Sequence, residues 1–143
     1  MTMTEQLAGA LAAEEAAIYA YGLIGVNLTV SGAIDEARSA EAAHRARRDV
    51  LITRLDQLRA STAPAPAGYE LPFAVTTDAS AMKLAIHVED GVAQAWRAAL
   101  PVTTGADRAT SLSALTDAAV LATRWRKLAG VAPVTMPFPG RPG

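Results

Sequence analysis

The chain has 143 residues, of which 51% are hydrophobic and 19% charged, and its formal net charge is -1. This length and composition predict one folded domain, and the near-neutral charge argues against nucleic acid or an anionic membrane as the partner. The absence of cysteine excludes disulfides and thiolate metal sites, so a metal ion would need carboxylate and imidazole ligands.

The first predicted helix begins with Thr4 as its N-cap and ends near Leu28. The residues predicted to face the bundle interior, which we call the seam of the helix, are spaced alternately four and three positions apart. They are Leu7, Leu11, Glu14, Ile18, Tyr21, Gly25 and Leu28. A signal peptide or a membrane-spanning helix would tolerate Glu14 and Glu15 poorly within this apolar stretch. We therefore expect a cytoplasmic protein.

The second predicted helix runs from Ser31 or Gly32 to Arg59. Its predicted seam comprises Ile34, Ala37, Glu41, His44, Arg48, Leu51, Leu55 and Leu58. Glu41 and His44, within the sequence EAAHRARR, are one turn apart and share a helix face. That spacing suits a pair of metal ligands or a buried ion pair. Arg45 and Arg47 fall off the seam and are predicted to face solvent.

The third predicted helix begins near Asp78 or Ser80, carries Glu89 on its seam and is closed by Pro101. The fourth runs from about Ala106 to Ala129, and Gly130 follows it as the expected C-cap. Residues 131–143 contain four prolines and are predicted to form an irregular Pro-rich tail.

The links between these segments predict how the helices are connected. Short links after the first and third helices predict two antiparallel hairpins. Residues 61–77 could extend over roughly 50 Å, at about 3.3 Å per residue, so the third helix can run parallel to the second after a long crossover. A disordered linker is the alternative, but it would leave two bare hairpins. We therefore predict one all-α four-helix bundle over residues 1–130, with the tail at 131–143.

Several polar residues fall on seam positions of this bundle: Glu14, Glu41, His44, Arg48 and Glu89. The hairpin geometry places Glu14 level with His44, and Glu89 level with Asp117. Buried carboxylates need a compensating cation or bound protons, because desolvating each one costs several kcal/mol. Two divalent ions about 3.5 to 4 Å apart could supply the charge, and Arg48 could supply part of it without a metal.

This pattern resembles the ferritin-like superfamily over roughly residues 4–129. Its di-iron members take a Glu from the first helix, a Glu-x-x-His from the second, a Glu from the third and usually a second Glu-x-x-His from the fourth. The matching residues are Glu14, Glu41 with His44, and Glu89. Tyr21 is similar to the tyrosine that ferritins place beside iron. The alanine-rich start EEAAIYAYG resembles an actinobacterial ferritin-like family of unestablished function.

The fourth helix departs from that pattern. TDAAVLATRW contains no Glu-x-x-His, since Asp117 is followed three residues later by Val120. True ferritins also lack this histidine, so its loss does not remove a metal site, but it argues against a symmetric two-metal centre. The Pro-rich tail cannot form the extra short helix that ferritin shells usually carry.

Three functional hypotheses follow. The first is a ferritin-like protein of unestablished role, without metal or catalysis, whose remnant core cluster is completed by a structural ion network that includes Arg48 and Tyr21. The second is a carboxylate-bridged di-iron or di-manganese protein that reacts with oxygen or peroxide. Its ligands would be Glu14, Glu41, His44 and Glu89, with Asp117 as a weaker candidate. The third is a homodimeric interaction module, and the sequence identifies no small-molecule substrate for any of them.

Overall fold

The computed structural model describes residues 1–143 and contains four α-helices and no strand. The helices are α1 (Met3–Asn27), α2 (Ser31–Gln57), α3 (Asp78–Ala99) and α4 (Gly105–Ala129), with a 3-10 turn at Leu100–Val102. The predicted all-α fold is therefore confirmed.

The helix ends follow local capping chemistry. Thr2, rather than the predicted Thr4, caps α1: its hydroxyl accepts from the Glu5 amide at 3.1 Å, and the Glu5 carboxylate accepts from the Thr2 amide at 2.7 Å. Thr4 cannot form this reciprocal pair, because the residue three positions later is Leu7. Gly130 caps α4 as predicted, with a left-handed φ of 68°.

Side-chain contacts define the helix directions. Glu14 of α1 contacts His44 of α2 and Trp96 of α3, whereas Tyr21, further along α1, contacts Glu89, which precedes Trp96. Helix α1 is therefore antiparallel to α3. The short link between α1 and α2 makes that pair antiparallel as well, so α2 and α3 run in the same direction.

The segment between α2 and α3 returns along the bundle and packs on it. Leu71, Phe73 and Val75 are partly buried against the core. The rings of Tyr69 and Tyr19 of α1 have centroids 5.2 Å apart. These contacts argue against the alternative of a disordered linker.

The apolar interior consists of two clusters. One is built around Tyr21, Ile24 and Trp125, and the other around Leu51, Leu55 and Trp96. On α2 and α3, His44 and Glu89 fall between the residues that contribute to the two clusters. The polar residues therefore occupy the middle of the bundle.

Helix α1 is long and apolar enough to cross a membrane, with a mean hydropathy of 1.3 over its most apolar 18 residues. A core helix of a bundle has the same properties, and α1 packs against both α2 and α3. In this fold, the apolar surface of α1 lies in the contacts with α2 and α3.

Candidate functional site

A group of ionisable side chains lies at the centre of the bundle. Glu14 of α1, His44 of α2 and Glu89 of α3 are each completely inaccessible to solvent. We call these three residues, together with Tyr21, Arg47, Trp96 and Trp125, the central cluster. Every additional member is hydrogen-bonded to Glu14, Glu89 or Tyr21.

His44 joins the two carboxylates. Its Nδ1 lies 2.5 Å from Glu14 Oε2, and its Nε2 lies 2.8 Å from Glu89 Oε2. A neutral imidazole can donate only one hydrogen, so two carboxylate partners favour the imidazolium. Burial lowers the pKa of His44, but the bonds to Glu14 and Glu89 outweigh burial and raise the pKa to about 9. His44 is therefore a cation at neutral pH.

Glu14 accepts three hydrogen bonds. Its Oε2 faces His44, and its Oε1 accepts from Arg47 Nε at 2.7 Å and from Trp96 Nε1 at 2.8 Å. Burial raises the pKa of Glu14, but His44, then Arg47 and Trp96, stabilise the anion and bring its pKa below the usual value. Glu14 is therefore ionised.

Arg47 connects the central cluster to the surface. Its side chain is 14% exposed, and its Nη1 lies 3.6 Å from Asp117 of α4. Its Nη2 is 3.1 Å from His44 Nδ1. This is a contact between two cations and not a hydrogen bond, because Nδ1 of the imidazolium carries its own hydrogen. Glu14, bonded to both, offsets their repulsion.

Glu89 and Tyr21 form the other end of the central cluster. The Tyr21 hydroxyl donates to Glu89 Oε2 at 2.8 Å and accepts from Trp125 Nε1 at 2.9 Å. Burial, followed by the charge of Glu89, raises the pKa of Tyr21 well above its usual value, so the phenol stays neutral. Glu89 Oε1 is the only buried side-chain oxygen or nitrogen of the chain without a hydrogen-bond partner.

With both carboxylates ionised, the formal charges of the central cluster cancel. Glu14 and Glu89 contribute two negative charges, and His44 and Arg47 contribute two positive charges. A buried ion group of this kind is tolerated when its charges are paired and its polar atoms are hydrogen-bonded. The central cluster meets both conditions at every atom except Glu89 Oε1.

The structure brings four of the predicted site residues together, namely Glu14, Tyr21, His44 and Glu89. Glu41, predicted to join them, lies outside: its Oε1 pairs with Arg45 Nη2 at 2.9 Å, and its side chain is 31% exposed. The reason is the rotation of α2, which places Ala40 rather than Glu41 in the core, four residues before His44.

Arg48, predicted to supply the internal cation, also lies outside the central cluster. Its Nε bonds to Asp49 at 3.0 Å. Arg47 takes the inward role although it was predicted to face solvent. A step of three residues from His44 followed by four to Leu51 fits the helix as well as four followed by three, so spacing could not separate the two arginines. Asp117 is exposed and reaches only Arg47.

The two tryptophans, Trp96 and Trp125, belong to the central cluster although neither is among the predicted site residues. Each is fully buried and donates its indole N–H within the cluster, Trp96 to Glu14 and Trp125 to Tyr21. The signal available in the sequence is chemical, since a buried indole usually finds a hydrogen-bond acceptor.

One cavity gives the central cluster an opening. It has a volume of about 440 Å³, lies between α2 and α4, and reaches Arg47 and Trp96. Small side chains surround it, including Ala46, Ala109 and Ser113. The Glu14 end of the central cluster is thus nearest to solvent.

The donor atoms do not fit a two-metal centre as they are arranged. Both imidazole nitrogens face carboxylates, and three of the four oxygens of Glu14 and Glu89 accept hydrogen bonds. No group of three or more Asp, Glu or His side chains in residues 1–143 is arranged to hold a metal ion. Glu89 Oε1 is the single carboxylate oxygen of the pair that is free to accept a ligand.

The comparisons with known proteins identify a family. The family described as "Domain of unknown function (DUF4439)" matches residues 6–143. The chain belongs to this family. It is also similar to a solved structure described as a conserved hypothetical protein, rv2844, from Mycobacterium tuberculosis. The two chains are 38% identical, the match covers 88% of this chain and 96% of that one, and the TM-score is 0.83.

The mycobacterial source of this relative is consistent with the actinobacterial family that the sequence resembles. No curated protein matches the chain. The helical fold is thus shared with this mycobacterial protein, and neither description assigns an activity.

Proposed function

We propose that the protein is a ferritin-like four-helix bundle of non-catalytic role, in which a metal-free ion network occupies the place of a metal centre. The observation that carries this proposal is the position of His44, whose imidazolium lies between Glu14 and Glu89 and bonds to both. An organic cation therefore already satisfies the two carboxylates that would otherwise require a metal.

The ferritin-like assignment rests on where the acidic residues come from. Glu14 and Glu89 belong to α1 and α3, His44 belongs to α2, and the three meet in the middle of the bundle. The parallel direction of α2 and α3, joined by a long packed segment, supports the same assignment.

The network has a structural role in this proposal. It links α1, α2 and α3 through hydrogen bonds that form only at one relative height of the helices. A shift of one turn, about 5.4 Å, would leave buried charges without partners, which is costly. The ion network therefore favours one alignment of helices whose alanine-rich surfaces permit several.

A carboxylate-bridged di-iron or di-manganese protein, reacting with oxygen or peroxide, is the competing function. The observation in its favour is Glu89 Oε1, a buried carboxylate oxygen without a partner. Binding would require His44 to give up a carboxylate bond and a proton, and Arg47 would remain bonded to Glu14. Because metal binding has these requirements, we favour the proposed structural role without a metal.

An anaerobic titration of metal-stripped protein with ferrous or manganous ion separates the two functions. We expect no stoichiometric binding, and no absorbance band after oxygen is added to the ferrous sample. Stoichiometric binding that is abolished by Glu89→Gln and kept by Glu41→Ala would refute the metal-free proposal. Glu41→Ala is the matched control because Glu41 lies outside the central cluster.

A homodimer is a further part of the proposal. Val50 of α2 and Leu112 of α4 are both exposed. They lie at similar heights, because the nearby Arg54 of α2 bonds to Asp107 of α4. We expect sedimentation to show a dimer at micromolar concentration that Leu112→Asp dissociates. A wild-type monomer at that concentration would contradict this part.

Cytoplasmic location completes the proposal, since α1 uses its apolar surface in contacts with α2 and α3. We expect native protein in the supernatant after cell lysis and high-speed centrifugation. Recovery in the membrane pellet that resists a salt wash would contradict it.

A further inference from the structure

A second and larger cavity lies away from the central cluster. It is a groove of about 730 Å³ between α3, α4 and the C-terminal residues 131–143, and no central-cluster residue lines it. This volume is within the range of small-molecule sites, about 300 to 1,000 Å³. We call it the tail groove.

The chain beyond α4 forms one wall of the tail groove and is fixed to α3. Arg97 Nη1 donates to the Pro139 carbonyl at 3.1 Å. Gly140 has a φ of 78° and lies so close to α3 that an added Cβ would come within 2.5 Å of the Ala93 carbonyl oxygen. Only glycine fits this contact. Specific contacts with α3 therefore hold this wall of the tail groove in place.

Apolar side chains around the tail groove are left facing solvent. Val120 of α4 is 44% exposed, Met136 is 50% exposed, and Phe138 is 65% exposed. Phe138 also has a φ of 56°, a left-handed conformation that is unfavourable for a residue with a Cβ. The fold thus holds a strained aromatic residue beside the groove without burying it.

The charges along the tail groove are predominantly positive. Arg124, Arg126 and Arg141 line it together with one acidic side chain, Asp90, and with the terminal residue Gly143. Arg126 bonds to Asp90 at 2.5 Å, and Arg124 lies 3.4 Å from Glu36. Arg141 has no carboxylate within 4.0 Å, and its guanidinium lies 5.9 Å from the centre of the Phe138 ring. One cation beside the apolar surface is therefore unpaired.

We propose that the tail groove binds a free aliphatic carboxylic acid of medium chain length. The carboxylate pairs with Arg141, and the alkyl chain covers Val120, Met136 and Phe138. This ligand matches the two features that the groove leaves unsatisfied, the unpaired guanidinium and the exposed apolar side chains. The site is independent of the central cluster, so it stands whether or not a metal binds at Glu89.

The test is a calorimetric titration of the full chain with decanoate below its aggregation concentration, repeated with decanol. We expect saturable one-to-one binding of decanoate and weaker binding of decanol. Arg141→Gln should weaken decanoate binding about fivefold, the size expected for one exposed ion pair. Arg108→Gln should leave it unchanged, because Arg108 is exposed on α4 and does not line the tail groove.

Amide chemical shifts provide the location. We expect decanoate to perturb residues 115–126 and 134–143, and Val120→Asp to abolish the effect. Absence of saturable binding, equal binding of decanol, or an unchanged Arg141→Gln variant would overturn the proposal. It would also be overturned if sedimentation shows that a second copy of the chain covers the groove, seen as a dimer that Val120→Asp dissociates and decanoate does not.

Discussion

Trp96 and Glu14 are 82 positions apart in the sequence, yet the Trp96 indole donates to Glu14 Oε1 at 2.8 Å in the interior of the bundle. Trp125 makes the corresponding bond to the neutral hydroxyl of Tyr21 at 2.9 Å. The two indoles are equally buried but bond to acceptors of different charge.

This difference predicts unequal effects of Trp96→Phe and Trp125→Phe. Both lose a similar volume, but a hydrogen bond to a charged group contributes about 1.5 to 3 kcal/mol and one to a neutral group about 0.5 to 1.5 kcal/mol. We expect Trp96→Phe to lower the free energy of unfolding by about 1 kcal/mol more than Trp125→Phe. Urea denaturation measures the free energy of unfolding of both variants. Equal losses would show that packing alone, and not the charge of the hydrogen-bond acceptor, determines the effect.

Arg47 and Arg48 are neighbours with different surroundings. Removing the Arg47 guanidinium leaves Glu14 with one fewer buried cation, so we expect Arg47→Gln to cost about 3 kcal/mol of stability. Arg48→Gln, which removes only an exposed pair with Asp49, should cost less than about 0.5 kcal/mol. Chemical denaturation of both variants checks the assignment. A larger loss in Arg48→Gln would mean that α2 is rotated so that Arg48, and not Arg47, faces Glu14.

The raised pKa of His44 predicts how stability depends on pH. The folded pKa is about 9, above the ordinary histidine value of 6.5, so the stabilising contribution of His44 is complete below about pH 6.5 and is lost as the pH rises through 9. By linkage, this shift in pKa corresponds to a loss of about 3 kcal/mol in the free energy of unfolding.

Denaturation between pH 6.5 and 9.5 measures this slope. His44→Asn should be less stable at pH 6.5 and should lack most of the slope, whereas His87→Asn should keep it, because His87 is exposed. A slope that persists in His44→Asn would assign the titration to another group.

Glu89 contributes to the charge on His44 by hydrogen bonding and by its own negative charge. Glu89→Gln removes that charge, and we expect the pKa of His44 to fall below 9. Glu41→Gln should leave the pKa unchanged, because Glu41 pairs with Arg45 instead. NMR titration of the imidazole protons reports both. An unaltered pKa in Glu89→Gln would show that Glu14 alone sets the charge of His44.

Much of this architecture follows from sequence pattern. Apolar spacing of 3.6 residues predicts the helices, Gly130 predicts the end of α4, and the short link before Ser31 places Glu14 level with His44. These features depend on local chemistry or on simple hairpin geometry, so a single sequence contains them.

The choice between neighbouring residues could not be predicted in the same way. Ala40 and Glu41 differ by one position, or about 100° of helix rotation, and an alanine-rich helix gives little apolar contrast to fix that rotation. Arg47 reaches the interior because its side chain is long: the guanidinium bonds to Glu14 while the side chain remains 14% exposed. Which of two neighbouring residues faces the interior depends on tertiary contacts, and residue spacing in the sequence does not reveal these contacts.

The cancelling charges of the central cluster constrain how these positions can change during evolution. Any single substitution that removes a charge from Glu14, His44, Arg47 or Glu89 leaves an unbalanced ion in the interior. Changes are better tolerated when a carboxylate and a cation are lost together. We expect Glu14→Gln combined with Arg47→Gln to be more stable than the sum of the single losses predicts, as a double-mutant cycle measures. We therefore expect these positions to vary among relatives in pairs. Sequences that have lost only one charge of a pair should be removed by selection.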